Sequence, residues 1–148
     1  MSEICGLTPH SQTDRPEGYD DVMWAVVKAA GHFYDMLEPM PGAKKLFNYV
    51  FGKLGDDCQI LSGIPKPKRG VTTAGEDKIN WSHRVLSPDL KVNIVFREEK
   101  KNFCTGKDCI LVDDLEENIK SWEKCGGTGI HFTDAESCIE KLKEFLEV

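Results

Sequence analysis

Residues 110–114 read Ile-Leu-Val-Asp-Asp, an apolar run that ends abruptly in two acids. The run has no alternation of apolar and polar positions, so it fits a strand buried on both faces, as in a parallel sheet. This constrains the whole fold, because parallel strands need long crossover connections, usually helical. Cys58-Gln59-Ile60-Leu61, Val92-Asn93-Ile94-Val95-Phe96 and Thr128-Gly129-Ile130-His131-Phe132 read as further strands. A helix from Asp20 to about Asp35 would turn Val22, Trp24, Val26, Val27, Ala30 and Phe33 to one face. Pro41 suits the first turn of a second helix through roughly Phe51, with Leu46, Phe47 and Val50 inward. Residues 76–86 (Ile79, Trp81, Val85) and Leu115 to Lys124 make two more, and Cys125-Gly126-Gly127 stops the latter. A last helix starts at the cap Thr133, with Glu136 completing a capping box, and runs to about Leu146. Strands alternating with helices predict an α/β fold whose parallel sheet is covered on both faces.

In open α/β sheets, ligands sit at the C-terminal ends of the strands, which is where Asp113 and Asp114 fall. Buried acids repel each other and lose hydration, so they persist with a cation or hydrogen-bond donors. Mg²⁺ is the natural hard cation for such a pair. The same residues equally fit a strand end at Asp113 and a helix cap at Asp114. Two other groups lie at strand ends. Ser62-Gly63 places a hydroxyl and a flexible backbone N–H after one strand, and Lys66, Lys68 and Arg69 follow in the next loop. Together they suit a phosphate oxygen, although a strand-to-loop turn with a solvated basic loop fits them as well. Arg97-Glu98-Glu99-Lys100-Lys101 follows another strand. A lysine there offsets charge on a phosphoryl group, and the bland reading is a charged solvent face.

With 148 residues the chain is expected to form one domain, residues 19–148, after a turn-rich, flexible segment at residues 1–18. The net charge of −6 argues against nonspecific nucleic-acid binding. No apolar run approaches the roughly 18 residues that cross a bilayer. Met1-Ser2-Glu3-Ile4-Cys5-Gly6 lacks the basic start and apolar core of a signal peptide, so the expected location is cytoplasmic. The six cysteines include no CxxC, and Cys104 and Cys109 form an isolated CxxxxC, so reduced thiols are expected. His10, His32, His83 and His131 form no HxH or HExxH pattern, and structural or surface roles are expected for them.

A hydroxyl after one strand, a lysine before another and paired aspartates ending it, in that order, resemble motifs two to four of the haloacid dehalogenase superfamily. More narrowly the chain resembles bacterial and phage relatives of the 5′(3′)-deoxyribonucleotidases. The segments that carry this are Phe33-Tyr34 through Leu37-Glu38-Pro39-Met40-Pro41-Gly42-Ala43, then ILSGIPKPKRG, REEKKNFC and above all ILVDDLEENIKSWEKCGGTGIHF, over about residues 20 to 146. The resemblance implies a three-layer, Rossmann-like parallel sheet and Mg²⁺-dependent hydrolysis of small phosphomonoesters such as deoxynucleoside monophosphates. It implies that Ser62 and the Gly63 N–H hold the phosphoryl group and that Lys100, or Lys101 one register away, stabilises it. Asp114 would be the direct metal ligand, Asp113 a catalytic and more distant metal-site carboxylate, and Asn118 a support for the turn. Residues 20–36 fall where this family often inserts a small helical cap. Trp122 and Gly126-Gly127 need no function beyond the fold.

The family's first motif, a strand ending in Asp-x-Asp, has no counterpart. Ile4-Cys5-Gly6-Leu7-Thr8 is the nearest run, and Asp14, Asp20 and Asp21 form no strand-end pair. The central slot of the sheet would then be empty unless residues 3–8 fill it or its neighbours close up. The nucleophile would be missing, Mg²⁺ weakly held, and turnover weak or nil. A non-catalytic phosphate- or nucleotide-binding module is the main alternative. An interaction protein using the apolar face of helix 20–35 is another, and self-association is left open. A receiver domain ranks last, because its acidic pair follows the first strand.

Overall fold

The computed structural model of the protein describes residues 17–147. The run Ile4–Thr8, His10, Asp14 and most of the segment 1–18 lie outside the described residues; Glu17 and Gly18 form a turn. The chain divides into two compact units, one of residues 17–37 with Pro65–Trp81, the other of Glu38–Ile64 with residues 82–147.

The first unit is helical. It contains α1 (Tyr19–Ala29), short 3-10 helices at Phe33–Met36 and Pro67–Arg69, and most of α3 (Ala74–Val85), whose last turn belongs to the second unit. The expected helix 20–35 stops early because Gly31 takes a left-handed φ of 75°. Phe33 then enters from a separate turn and joins Met23 and Val27 in the buried core, flanked by Trp24, Tyr34 and Val71. The apolar face of α1 is therefore filled within its own unit, while Val22, expected on that face, is 53% exposed. One buried side chain is polar. Asp77 accepts hydrogen bonds from Thr73 Oγ1 at 2.9 Å and from His32 Nδ1 at 2.7 Å.

The second unit holds all four strands found among the described residues and α2 (Ala43–Leu54), α4 (Glu116–Lys124) and α5 (Ala135–Leu146). Strand β1 (Gln59–Gly63) pairs in parallel with β2 (Lys91–Val95), from Gln59 opposite Lys91 to Gly63 opposite Val95. Strand β3 (Ile110–Asp113) pairs in parallel with β4 (Thr128–His131), from Ile110 opposite Thr128 to Asp113 opposite His131. The expected single sheet is thus two two-stranded ladders, with no described strand joining β1 to β3. The two are linked by side chains instead, as Leu61 of β1 packs on Leu111, Ile119 and Trp122. Strand β3 is covered on both faces, as its continuous apolar run predicts. Leu111 meets α4, whereas Ile110 and Val112 meet the cluster of Ile130, Cys138, Leu142, Leu46 and Val50 beneath α2 and α5.

Two helix starts differ from expectation. Gly42, rather than Pro41, precedes α2; its φ is 80°, and a methyl group there would lie 2.8 Å from Ala135 Cβ. Asp134, rather than Thr133, caps α5 by accepting the Ser137 N–H at 2.7 Å. A carboxylate in extended backbone is the stronger acceptor. Glu136, free of a capping box, reaches Lys45 on α2 at 2.8 Å.

Candidate active site

Asp113 is the last residue of β3, and three donors converge on its carboxylate. Oδ2 accepts from Lys100 Nζ at 2.9 Å and from Asn118 Nδ2 at 3.0 Å, and Oδ1 accepts the Leu115 N–H at 2.9 Å. The pair is drawn out of water, with the Lys100 side chain 13% and the Asp113 side chain 8% exposed. Burial pushes the Asp113 carboxyl up, but the Lys100 bond, the Leu115 N–H and the Asn118 amide together hold it below its ordinary value. Asp114 moves the other way. Burial and the neighbouring Asp113 carboxylate raise it, so of the two it keeps a proton longer. Asp114 does not cap α4. That helix is preceded by Leu115 with no side-chain cap, and the bond from its N–H goes to Asp113.

Lys100 is delivered by a 3-10 helix, Arg97–Phe103, that the charged sequence did not reveal. Glu99 starts it, since its Oε1 accepts the Phe96 N–H at 2.8 Å and its own N–H donates to Phe96 O at 2.8 Å. Lys100 turns to Asp113, while Lys101 is exposed; both line a shallow pocket of about 150 Å³ with Arg97, Glu117, Asn118 and Ser121. Gly63, ending β1, lies against the start of the same 3-10 helix, where an added methyl group would be 3.6 Å from the Arg97 backbone. Ser62-Gly63, Lys100, Asn118 and the two aspartates therefore share one unit, with Gly63 against the start of the segment that carries Lys100. Lys66 is exposed and belongs to the helical unit, where Arg69 lies 3.4 Å from Asp21 and 5.8 Å from the Trp24 ring centroid.

A family model described as 5′ nucleotidase, deoxy (pyrimidine), cytosolic type C protein matches residues 2–142. The chain belongs to this 5′-nucleotidase family. It is a haloacid-dehalogenase-like family of deoxyribonucleotidases, and the mixed α/β architecture agrees with it. No curated protein and no solved structure matched the chain. Among the described residues no helix is long and apolar enough to cross a membrane.

Nucleotidases of this superfamily generally use Mg²⁺, and the donor set bears on how this member of the 5′-nucleotidase family would hold it. Among the described residues no three His, Cys, Asp or Glu side chains cluster as a metal site. Mg²⁺ needs fewer, because it is commonly bound by one or two carboxylates with waters and ligand oxygens. Asp113 already receives three hydrogen bonds, whereas Asp114 is an acid pushed toward neutrality by burial and a like charge. A cation beside Asp114 would relieve that cost. One further contact went unread in the sequence. His131, opposite Asp113 in the ladder, places Nε2 2.9 Å from Asp114 O and steadies the acidic turn from β4. Its position one residue from the end of an apolar run was the available signal.

Proposed function

We propose that this chain is a nucleotidase-type phosphate site that holds small phosphomonoesters such as deoxynucleoside monophosphates, with slow or no turnover. The observation that supports it is the buried Lys100–Asp113–Asn118 network with a second acid, Asp114, at its side. A structural ion pair needs no additional acid, and holding the exposed Asp114 carboxyl against the Asp113 carboxylate sets like charges side by side unless a ligand uses them. Ser62 would donate its hydroxyl to a phosphoryl oxygen at the end of β1, and Lys100 would balance phosphate charge from the opposite segment. Asp113 fixes Lys100 and the first turn of α4 in one arrangement. Asp114 would hold Mg²⁺, which when bound supplies positive charge to phosphoryl oxygens. Residues 20–36 would be the remnant of a small helical cap.

Slow turnover is what the lack of an Asp-x-Asp motif would produce. The sequence contains no Asp-x-Asp, and among the described strands only β3 ends in a carboxylate. The test pairs two measurements on 5′- and 3′-deoxynucleoside monophosphates with Mg²⁺: ligand binding by calorimetry and phosphate release. Binding lost in Lys100→Met and weakened in Asp114→Asn, with little release, is the expected result. Rapid release abolished by Asp114→Asn would mean that the chain supplies a nucleophile after all. Absence of both binding and release would overturn the phosphate-site reading.

A further inference from the structure

Two thiols outside this site bracket the loop that joins the Lys100-bearing 3-10 helix to β3. Cys104 closes the helix, its N–H donating to Lys101 O at 3.1 Å, and Cys109 immediately precedes β3. Both pack against the cluster of Leu111, Ile119 and Trp122. Cys104 Sγ lies 3.9 Å from Trp122 O and 3.6 Å from Cys125 O, while Cys109 O accepts from Trp122 Nε1 at 3.1 Å. Cys109 Sγ is 3.4 Å from the backbone nitrogen of Thr105, the atom bonded to the Cys104 carbonyl carbon. Standard bond lengths then put that sulfur within about 6 Å of Cys104 Cα, so rotation of the Cys104 side chain together with a small shift of the short 104–109 loop would bring the two sulfurs to bonding distance. Thr105 also places its hydroxyl 2.8 Å from Cys109 Sγ. The Thr105 N–H donates to this sulfur and the Thr105 hydroxyl lies against it, and these Thr105 bonds hold the Cys109 thiol below its ordinary value. Burial raises Cys58 and Cys138 instead.

We propose that Cys109 and Cys104 form a thiol–disulfide modification site that reacts with small disulfides of the glutathione type. The Cys109 thiolate attacks one sulfur of the small disulfide, forming a mixed disulfide and expelling one thiolate. Cys104 then gives up its proton and attacks the Cys109 sulfur, expelling the second thiolate. The two protein thiols are oxidised by two electrons, and one small disulfide becomes two small thiols, which carry the protons. The product clasps the end of the lysine helix to the start of the aspartate strand and draws Cys104 Sγ off the Trp122 and Cys125 carbonyls.

The test treats the reduced full chain with graded ratios of oxidised to reduced glutathione at pH 7, quenches with a maleimide and maps the peptides by mass. A Cys104–Cys109 cross-link is expected while Cys58 and Cys138 stay alkylatable. Cys104→Ser should accumulate a glutathione adduct on Cys109, and Cys125→Ser should behave as the unaltered chain. Thr105→Val should slow the adduct several-fold, with Thr105→Ser restoring it. A Cys104–Cys125 cross-link, equal labelling of all thiols, or indifference to Thr105→Val would overturn the proposal. The readout is covalent mass, so it stands or falls apart from phosphate binding.

Discussion

Asp113 and Asp77 are both carboxylates taken out of water, and they are compensated differently. Asp113 has an ammonium and two neutral donors; Asp77 has a hydroxyl and an imidazole whose side chain is itself 67% exposed. Removing the ammonium leaves a buried charge without its cation, so Lys100→Met is expected to cost about 3 kcal/mol in urea denaturation. Lys101→Met, on an exposed neighbour, should cost almost nothing. At His32 the bond to Asp77, and then the carboxylate's charge, raise the imidazole above 6.5; Glu76 and Asp35 add to it. A raised histidine stabilises the fold fully below about pH 6.5, and that contribution is lost as pH rises through the folded value. Thermal melts across that range should therefore show the unaltered chain declining relative to His32→Gln; parallel curves would refute the linkage. The Asp113 position was legible because it ends an apolar run. The Asp77–His32 pair was not, since its members are 45 residues apart and neither interrupts a pattern.

At the scale of elements, strands were easier to read than helix ends. The buried run at 110–112 and the apolar stretches near 60, 94 and 130 all became strands to within a residue or two. Helix starts depend on which neighbour wins a single hydrogen bond, and sequence pattern ranks Thr133 and Asp134 poorly. Asp134→Ala should accordingly lower the denaturation midpoint measurably and Thr133→Ala far less. The 3-10 helix at Arg97–Phe103 escaped notice because its charged residues have no apolar period, and Phe103, at its end, is 41% exposed. Gly127 had been read as part of a helix stop. Its larger role is spatial, because a methyl group there would strike Trp122 Nε1 and lie 2.6 Å from Cys104 Sγ. Gly127→Ala is expected to destabilise by about 2 kcal/mol, measured by chemical denaturation, through displacement of the indole.

For the molecule as a whole, alternation of strands and helices correctly gave the α/β class, but not the division of the strands into two ladders. Periodicity reports which face is buried and is silent on which strand lies beside which. The consequence is uneven protection. Strand β3 is packed on both faces and holds the buried Leu111, whereas β1 and β2 contain no fully buried residue. Native-state hydrogen exchange should find the β3–β4 amides slowest and the β1–β2 amides faster, and the reverse order would contradict this packing. The order of the two units along the chain has another outcome. The sequence visits the helical unit, then the strand unit, then each once more. Neither unit can be released as an uninterrupted fragment, and any single cut at residues 37, 64 or 81 leaves a piece of one stranded with the other. A protein threaded in this way cannot give up either unit as one continuous segment, so the two units must be made together.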